Sequence, residues 1–198
     1  MKVAQPVVKV LGICGSLKKA SVNRGALVAM QTQAARIGVD MKIADLSEIP
    51  FFNPDVEHEV PPAVQTLLEQ MIEADAFVLA TPGVQLLIHA GPQECLGLGE
   101  SYTGYGSLQG KSGGSLECGR RPEGGRSQYH LRQVCVFLDL HVLNKPEIMI
   151  NAFDGSFEKD GTLKDPTWEE RLLEQLNALK AFSLKLNQKP TGADVREI

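Results

Sequence analysis

The sequence predicts one α/β domain in which a mostly parallel sheet is covered by helices on both faces. The segment 7–13, VVKVLGI, is a short apolar run rich in β-branched residues, which is typical of a strand buried in a parallel sheet. A glycine ends this run and a helical pattern follows, as in the strand–helix units of α/β proteins. A chain of 198 residues is long enough for one such domain with a sizeable core.

The remaining elements follow in alternation along the chain. Short apolar or alternating runs predict five strands, at residues 7–13, 41–46, 76–80, 112–117 and 147–150. Apolar residues at helical spacing predict helices at residues 24–36, 64–74, 127–138 and 168–186. Gly38 is expected to end the first helix. We expect the domain to span residues 1–187 and residues 188–198 to form a loose C-terminal tail.

Composition excludes several function classes. A net charge of −4 does not favour nucleic-acid binding, which needs a basic face. No window approaches the roughly 20 apolar residues of a membrane span, so we expect none. The four cysteines show no paired spacing, which favours a reducing cytoplasm. The four histidines are scattered, so no metal site is expected.

The loop after the first strand has the composition of an anion site. Gly15 is followed by Ser16, Lys18, Ser21 and Asn23, and a helix N-terminus with free N–H groups favours an anion. The hydroxyl and amide groups can bind phosphate oxygens, and the lysine adds positive charge. The same residue types also cap helices, so the two interpretations are about equally supported by spacing alone. The loop matches neither the P-loop nor the GxGxxG pattern.

Two segments indicate a family. GSLKKASVNR (residues 15–24) resembles the phosphate loop of the NADPH-dependent FMN reductase family. GGRSQYHLRQVCVFLDLHVLNKPEIMINAF (residues 124–153) resembles the quinone and chromate reductase branch of that family, especially the plant-type NAD(P)H quinone reductases. The similarity extends from about Val7 to Leu186, nearly the whole chain.

This resemblance implies a flavodoxin-like doubly wound sheet of five parallel strands. The ligand site of such a sheet lies at the carboxyl ends of the first and third strands. The cofactor implied is FMN, with NADPH or NADH as electron donor and a quinone-like acceptor, and no catalytic side chain is required. The residues implied to bind the cofactor are Gly15, Ser16, Lys18, Ser21, Asn23, Pro82, Gly83, Val84, Gly124 and Gly125.

Two parts of the chain depart from the family pattern. After Thr81-Pro82 the family has glutamate-tyrosine-asparagine in a loop over the flavin ring, whereas segment 83–106 reads GVQLLIHAGPQECLGLGESYTGYG. Segment 112–123 departs as well, and its two glycines predict a weak strand with costly buried charge. Within them, Gly83 to Gly99 and Ser112 to Arg121 can be encoded by strings that spell the family motifs one base out of register. Our hypothesis is that both are short frameshifted segments, which resequencing the transcript would test.

These features are compatible with three functions. The first is an FMN-dependent NAD(P)H oxidoreductase that reduces a quinone or a similar acceptor. The second is a non-catalytic flavodoxin-like module whose flavin-ring loop at 83–106 is disrupted, and the third is a nucleotide-binding protein without flavin. The polar residues Arg126, Tyr129, His130 and Arg132 are expected at the surface or at subunit contacts, in a homodimer or homotetramer.

Overall fold

The computed structural model describes residues 6–50, 60–82, 107–119 and 125–188. The strands are β1 (Val8–Cys14), β2 (Val39–Ile43), β3 (Ala76–Thr81), β4 (Ser112–Gly119), β5 (His141–Val142) and β6 (Ile148–Asn151). The helices are α1 (Val22–Ala34, continued by a 3₁₀ turn at Ala35–Ile37), α2 (Pro62–Glu73), α3 (Arg126–Phe137) and α4 (Pro166–Leu186).

The strands form one parallel sheet in the order predicted for a flavodoxin-like fold. The order is β2-β1-β3-β4, and both β5 and β6 pair with β4. β5 lies beside the start of β4 and β6 beside its end, so two short strands share the fifth position. The predicted fifth strand is β6. β5 was not predicted, because two residues are too few to show a strand period.

The two faces of the sheet carry separate apolar cores. On one face, Leu27 of α1 and Leu176 of α4 belong to a buried cluster with Val78 of β3. On the other face, Leu67 of α2 and Leu131 of α3 belong to a second cluster, which includes the β3 residues Phe77 and Leu79. The central strands β1 and β3 are therefore buried on both sides, which explains their continuous apolar runs.

Several predicted boundaries are wrong by two residues or more. α2 and α4 begin at Pro62 and Pro166 rather than at residues 64 and 168, and β4 ends at Gly119 rather than at residue 117. α1 begins at Val22 rather than at residue 24, because Ser21 supplies the N-cap. β2 covers Val39–Ile43 rather than 41–46, because it starts directly after Gly38, whose φ of +68° ends the preceding turn. The pairing of Val39 with Val8 of β1 then sets the register of β2.

The segment predicted to be a weak strand is a full central strand. β4 has eight residues, and all but the last are buried. It pairs with β3 over six residues and with β5 and β6 on its other side.

Some of the sequence predictions concern residues outside the described ranges. These are the segment 83–106, residues 120–123 and the tail residues 189–198. None of the helices within the described ranges combines the length and apolar character that a membrane span requires.

Candidate functional site

The site is built at the edge where β1, β3 and β4 end. The backbone N–H of Gly15 donates to the carbonyl oxygen of Ala80 at 2.8 Å, so the loops that follow β1 and β3 start side by side. The register continues into β4, where Thr81 lies opposite Glu117. The expectation that the first and third loops share one edge is confirmed, since the sheet order reverses at this point.

The N-terminus of α1 opens at this edge with a polar cap. Ser21 is the N-cap, and its Oγ accepts a hydrogen bond from the Arg24 N–H at 3.3 Å. The capping interpretation of Ser21 is therefore confirmed. Its hydroxyl also lies 3.8 Å from the Sγ of the buried Cys14.

The charge at this N-terminus is suited to an anion. The first turn of α1 contains no acidic residue, and the exposed Lys18 makes no salt bridge to any residue that the structure describes. Ser16 is half-buried beside it. Unpaired helix N–H groups, hydroxyls and a nearby ammonium form the donor set that phosphate requires.

The side chain of Asn23 bonds to the backbone of Cys118, a contact that the sequence did not predict. Its side chain is 2 % exposed, and its Nδ2 donates to the Cys118 carbonyl oxygen at 3.1 Å while its Oδ1 accepts from the Cys118 N–H at 3.0 Å. The amide thus fastens the start of α1 to the end of β4. This brings the phosphate loop and the loop after β4 to the same place, which is a positioning role.

At the end of β3 lies a buried hydroxyl that has no partner among the described residues. Thr81 is 1 % exposed, and its Oγ1 makes no hydrogen bond within the described part of the chain. A buried hydroxyl without a partner is costly, so it marks a place where a bound molecule can complete the bonding. The half-buried Pro82 follows, whereas Gly83 and Val84 lie outside the described residues.

The end of β4 carries a buried carboxylate. Glu117 is 4 % exposed, and its Oε2 accepts a hydrogen bond from the Ser127 Oγ at 2.5 Å. Burial raises the pKa of Glu117, and the bond from Ser127 opposes this in part. The expected buried carboxyl group is therefore present, and within the described chain it is bonded to a hydroxyl rather than paired with a cation.

Gly125 precedes α3 in a crowded position. A Cβ at this residue would lie 2.9 Å from the Cε of Met149 and 3.3 Å from the Cε2 of Tyr129. Glycine keeps the backbone of this loop close to the end of β6. Gly124, its predicted companion, lies outside the described residues.

Of the ten predicted site residues, seven are described, and all seven follow β1, β3 or β4. Thr81 and Glu117 were not predicted as site residues. The signal for Thr81 was available, because it is the one polar residue in the run AFVLAT that ends at Pro82. The residues present fit a phosphorylated cofactor, since a phosphate donor set and a buried hydroxyl with no partner among the described residues share one edge.

Comparison with known proteins gives consistent matches. The profile of the NADPH-dependent FMN reductase family matches residues 8–155. An NAD(P)H:quinone oxidoreductase of Solanum tuberosum is 41% identical, over 94% of this chain and 98% of its own. An NAD(P)H-dependent FMN reductase of Pseudomonas aeruginosa is 37% identical, over 90% of this chain and 97% of its own.

The fold also has solved counterparts. The flavoenzyme FerB, an NAD(P)H:(acceptor) oxidoreductase of Paracoccus denitrificans, superposes with a TM-score of 0.75. The match covers 90% of this chain and 98% of that one at 19% identity, which shows a shared fold.

Proposed function

Because the chain belongs to the NADPH-dependent FMN reductase family, we propose that it transfers electrons from NADPH or NADH through bound FMN to a quinone-like acceptor. The observation that carries this proposal is the shared edge of the sheet. There, the capped and positively flanked N-terminus of α1 opens beside the ends of β3 and β4. A flavin phosphate and a flavin ring need these two environments next to each other.

The first loop binds the phosphate in this proposal. Ser16 and Lys18 contact its oxygens, together with the N–H groups of the first turn of α1. Ser21 holds that turn open as its N-cap, and Asn23 keeps it against β4. The residues that contact the ring are Pro82, Gly83, Val84, Gly124 and Gly125.

The protein supplies binding and orientation rather than a nucleophile. Bound FMN supplies the redox chemistry, accepting a hydride from the nicotinamide and passing electrons to the acceptor. Burial raises the pKa of the thiol of Cys14, the cysteine nearest the phosphate loop, so this residue acts as a small packed side chain. No protein side chain is therefore assigned a covalent step.

Titration of the purified protein with FMN tests the site. We expect near-stoichiometric binding with the visible absorption of a flavoprotein, and weaker binding of riboflavin, which lacks the phosphate. Lys18→Ala should lower FMN affinity about tenfold and leave riboflavin affinity unchanged, because one charge-assisted bond to phosphate is removed. Lys9→Ala is the matched control, since Lys9 is exposed near the opposite end of β1.

A protein that binds no FMN under any of these conditions contradicts the proposed function. That result supports the non-catalytic module considered from the sequence. If FMN binds but Lys18→Ala affects FMN and riboflavin equally, the phosphate is held elsewhere.

Steady-state kinetics test the reaction itself. With NADPH and a soluble benzoquinone, we expect parallel double-reciprocal plots, because donor and acceptor use one flavin face in turn. Comparing NADPH with NADH at matched concentrations gives the donor preference. Intersecting plots would contradict the shared-face scheme.

We further propose a cytoplasmic homodimer or homotetramer. Cys14, Cys118 and Cys135 are free thiols in the described chain, which suits a reducing compartment. The exposed face of α3 carries Tyr129 and Phe137, 57% and 69% exposed, which suits a subunit contact.

A further inference from the structure

Glu117 lies between the two loops assigned to the flavin ring. In the register of the sheet it is opposite Thr81, the residue before Pro82, and opposite Met149 of β6. Its carboxylate is bonded to Ser127, two residues after Gly125. Neighbouring strands are about 4.8 Å apart, so the residue is close to Thr81, where the loop after β3 starts, and to β6.

The groups of the described chain around this carboxylate supply no compensating charge. Ser127 of α3 bonds to it, whereas Thr81 of β3 and Met149 of β6 lie opposite Glu117 in the register of the sheet. None of these three side chains carries a charge. No lysine, arginine or histidine of the described residues forms a salt bridge with it. Tyr129, the next titratable residue after Ser127 in α3, has a side chain that is 57% exposed.

A buried carboxylate of this kind acts over a longer range than an exposed one. Little water lies around a residue that is 4 % exposed, so its field is weakly screened. Thr81 lies opposite Glu117, and its buried hydroxyl has no hydrogen-bond partner among the described residues. A polar group is therefore left unsatisfied beside the carboxylate within the described chain.

We propose that Glu117 tunes the flavin, lowering its midpoint potential by holding a negative charge close to the site assigned to the ring. This inference rests on the proposed function. Reduction adds electron density to the flavin, so a fixed negative charge nearby favours the oxidised form. Glu117 therefore makes the bound flavin a stronger reductant for the acceptor.

The test is the midpoint potential of FMN bound to Glu117→Gln. Glutamine has nearly the same shape and can still accept the bond from Ser127, so the fold is retained. At pH 8 we expect reduced FMN to gain about tenfold in affinity relative to oxidised FMN, which is an upward shift of about 30 mV for a two-electron couple. The FMN absorption maximum and dissociation constant are recorded with the same samples.

Two further variants separate charge from structure. Glu117→Asp keeps the charge and should keep the low potential even if its packing is poorer. Glu73→Gln removes one negative charge from the exposed end of α2, where the carboxylate lies 3.6 Å from the Lys42 ammonium, and should leave the potential unchanged.

The outcomes distinguish this inference from the proposed function. If the wild-type protein binds FMN and Glu117→Gln does not change the potential, the inference is wrong and the function stands. If Glu117→Asp raises the potential as much as Glu117→Gln, the effect is one of packing, and the inference is again wrong. If the wild-type protein binds no FMN, both are overturned.

Discussion

At the scale of single residues, Asn23 has the largest structural role among the predicted site residues. Its amide satisfies both backbone groups of the buried Cys118. Asn23→Ala should lower the free energy of unfolding by about 2–4 kcal/mol, because a buried donor and a buried acceptor lose their partner. Urea denaturation of the protein without FMN measures this.

A matched variant tests whether the lost hydrogen bonds cause the decrease in the free energy of unfolding. Asn144→Ala removes an exposed amide that makes one long bond, 3.4 Å from Arg132, and should cost less than about 0.5 kcal/mol. An Asn23→Ala protein as stable as Asn144→Ala would contradict the bonding described for α1 and β4.

Glu117 also predicts a pH dependence of stability. Burial raises its pKa in the folded protein above the ordinary value of 4.5, so the folded state holds the proton more firmly. Its contribution is most favourable below pH 4.5 and is lost as pH rises through the folded-state pKa. Glu117→Gln should therefore be more stable than the wild type at pH 8, and this advantage should disappear near pH 4. An advantage of the same size at both values would contradict the assignment.

At the scale of elements, β4 forms despite Gly113 and Gly114. Partners on both sides and burial on both faces compensate for two residues without side chains. A Cβ at Gly114 would meet no atom nearer than 3.7 Å, whereas one at Gly113 would lie 3.2 Å from Leu140. Gly114→Ala should raise the free energy of unfolding by about 0.5–1 kcal/mol, and Gly113→Ala should gain less. Thermal unfolding of the two variants compares them, and the opposite ranking would contradict this packing.

A lysine from a distant part of the chain caps the C-terminal end of helix α2. The Lys111 Nζ donates to the carbonyl oxygens of Met71 and Ile72 at 2.9 and 3.0 Å, where an α-helix has unpaired acceptors. Lys111→Met keeps the apolar stem and should cost about 1–3 kcal/mol of stability. Lys42→Met, which removes an exposed ion pair with Glu73, should cost under about 1 kcal/mol in the same denaturation experiment. Equal losses would show that the ammonium does not cap α2.

At the scale of the whole molecule, the exposed apolar face of α3 bears on assembly. Val136 and Phe137 are 79% and 69% exposed, so replacing them costs little within one subunit. Phe137→Glu should shift the proposed oligomer towards monomer in light scattering, because a charge would be buried at the contact. Ile72→Glu places the same charge on an exposed residue of α2 and should leave the molar mass unchanged. A monomeric wild-type protein would contradict the oligomer.

Much of the fold followed from local patterns alone. The apolar run at 7–13 predicted a strand, and the amphipathic pattern at 64–74 predicted a helix. The loop from Gly15 to Asn23 showed the resemblance to a family's phosphate loop. Each signal is carried by side-chain period or by turn residues, which act over a few positions. The sheet order and the shared edge then followed from the resemblance.

Only the tertiary structure decided the strength of β4 and the partners of the polar residues. Gly113 and Gly114 weaken a strand locally, and only pairing with β3, β5 and β6 compensates for this. The bond from Asn23 to Cys118 joins residues 95 positions apart. The bond from Ser127 to Glu117 joins residues 10 positions apart. No local pattern records such contacts, because they depend on which strands the fold places side by side. The sequence by itself therefore determined what kind of protein this is, and the packing decided what each polar residue does.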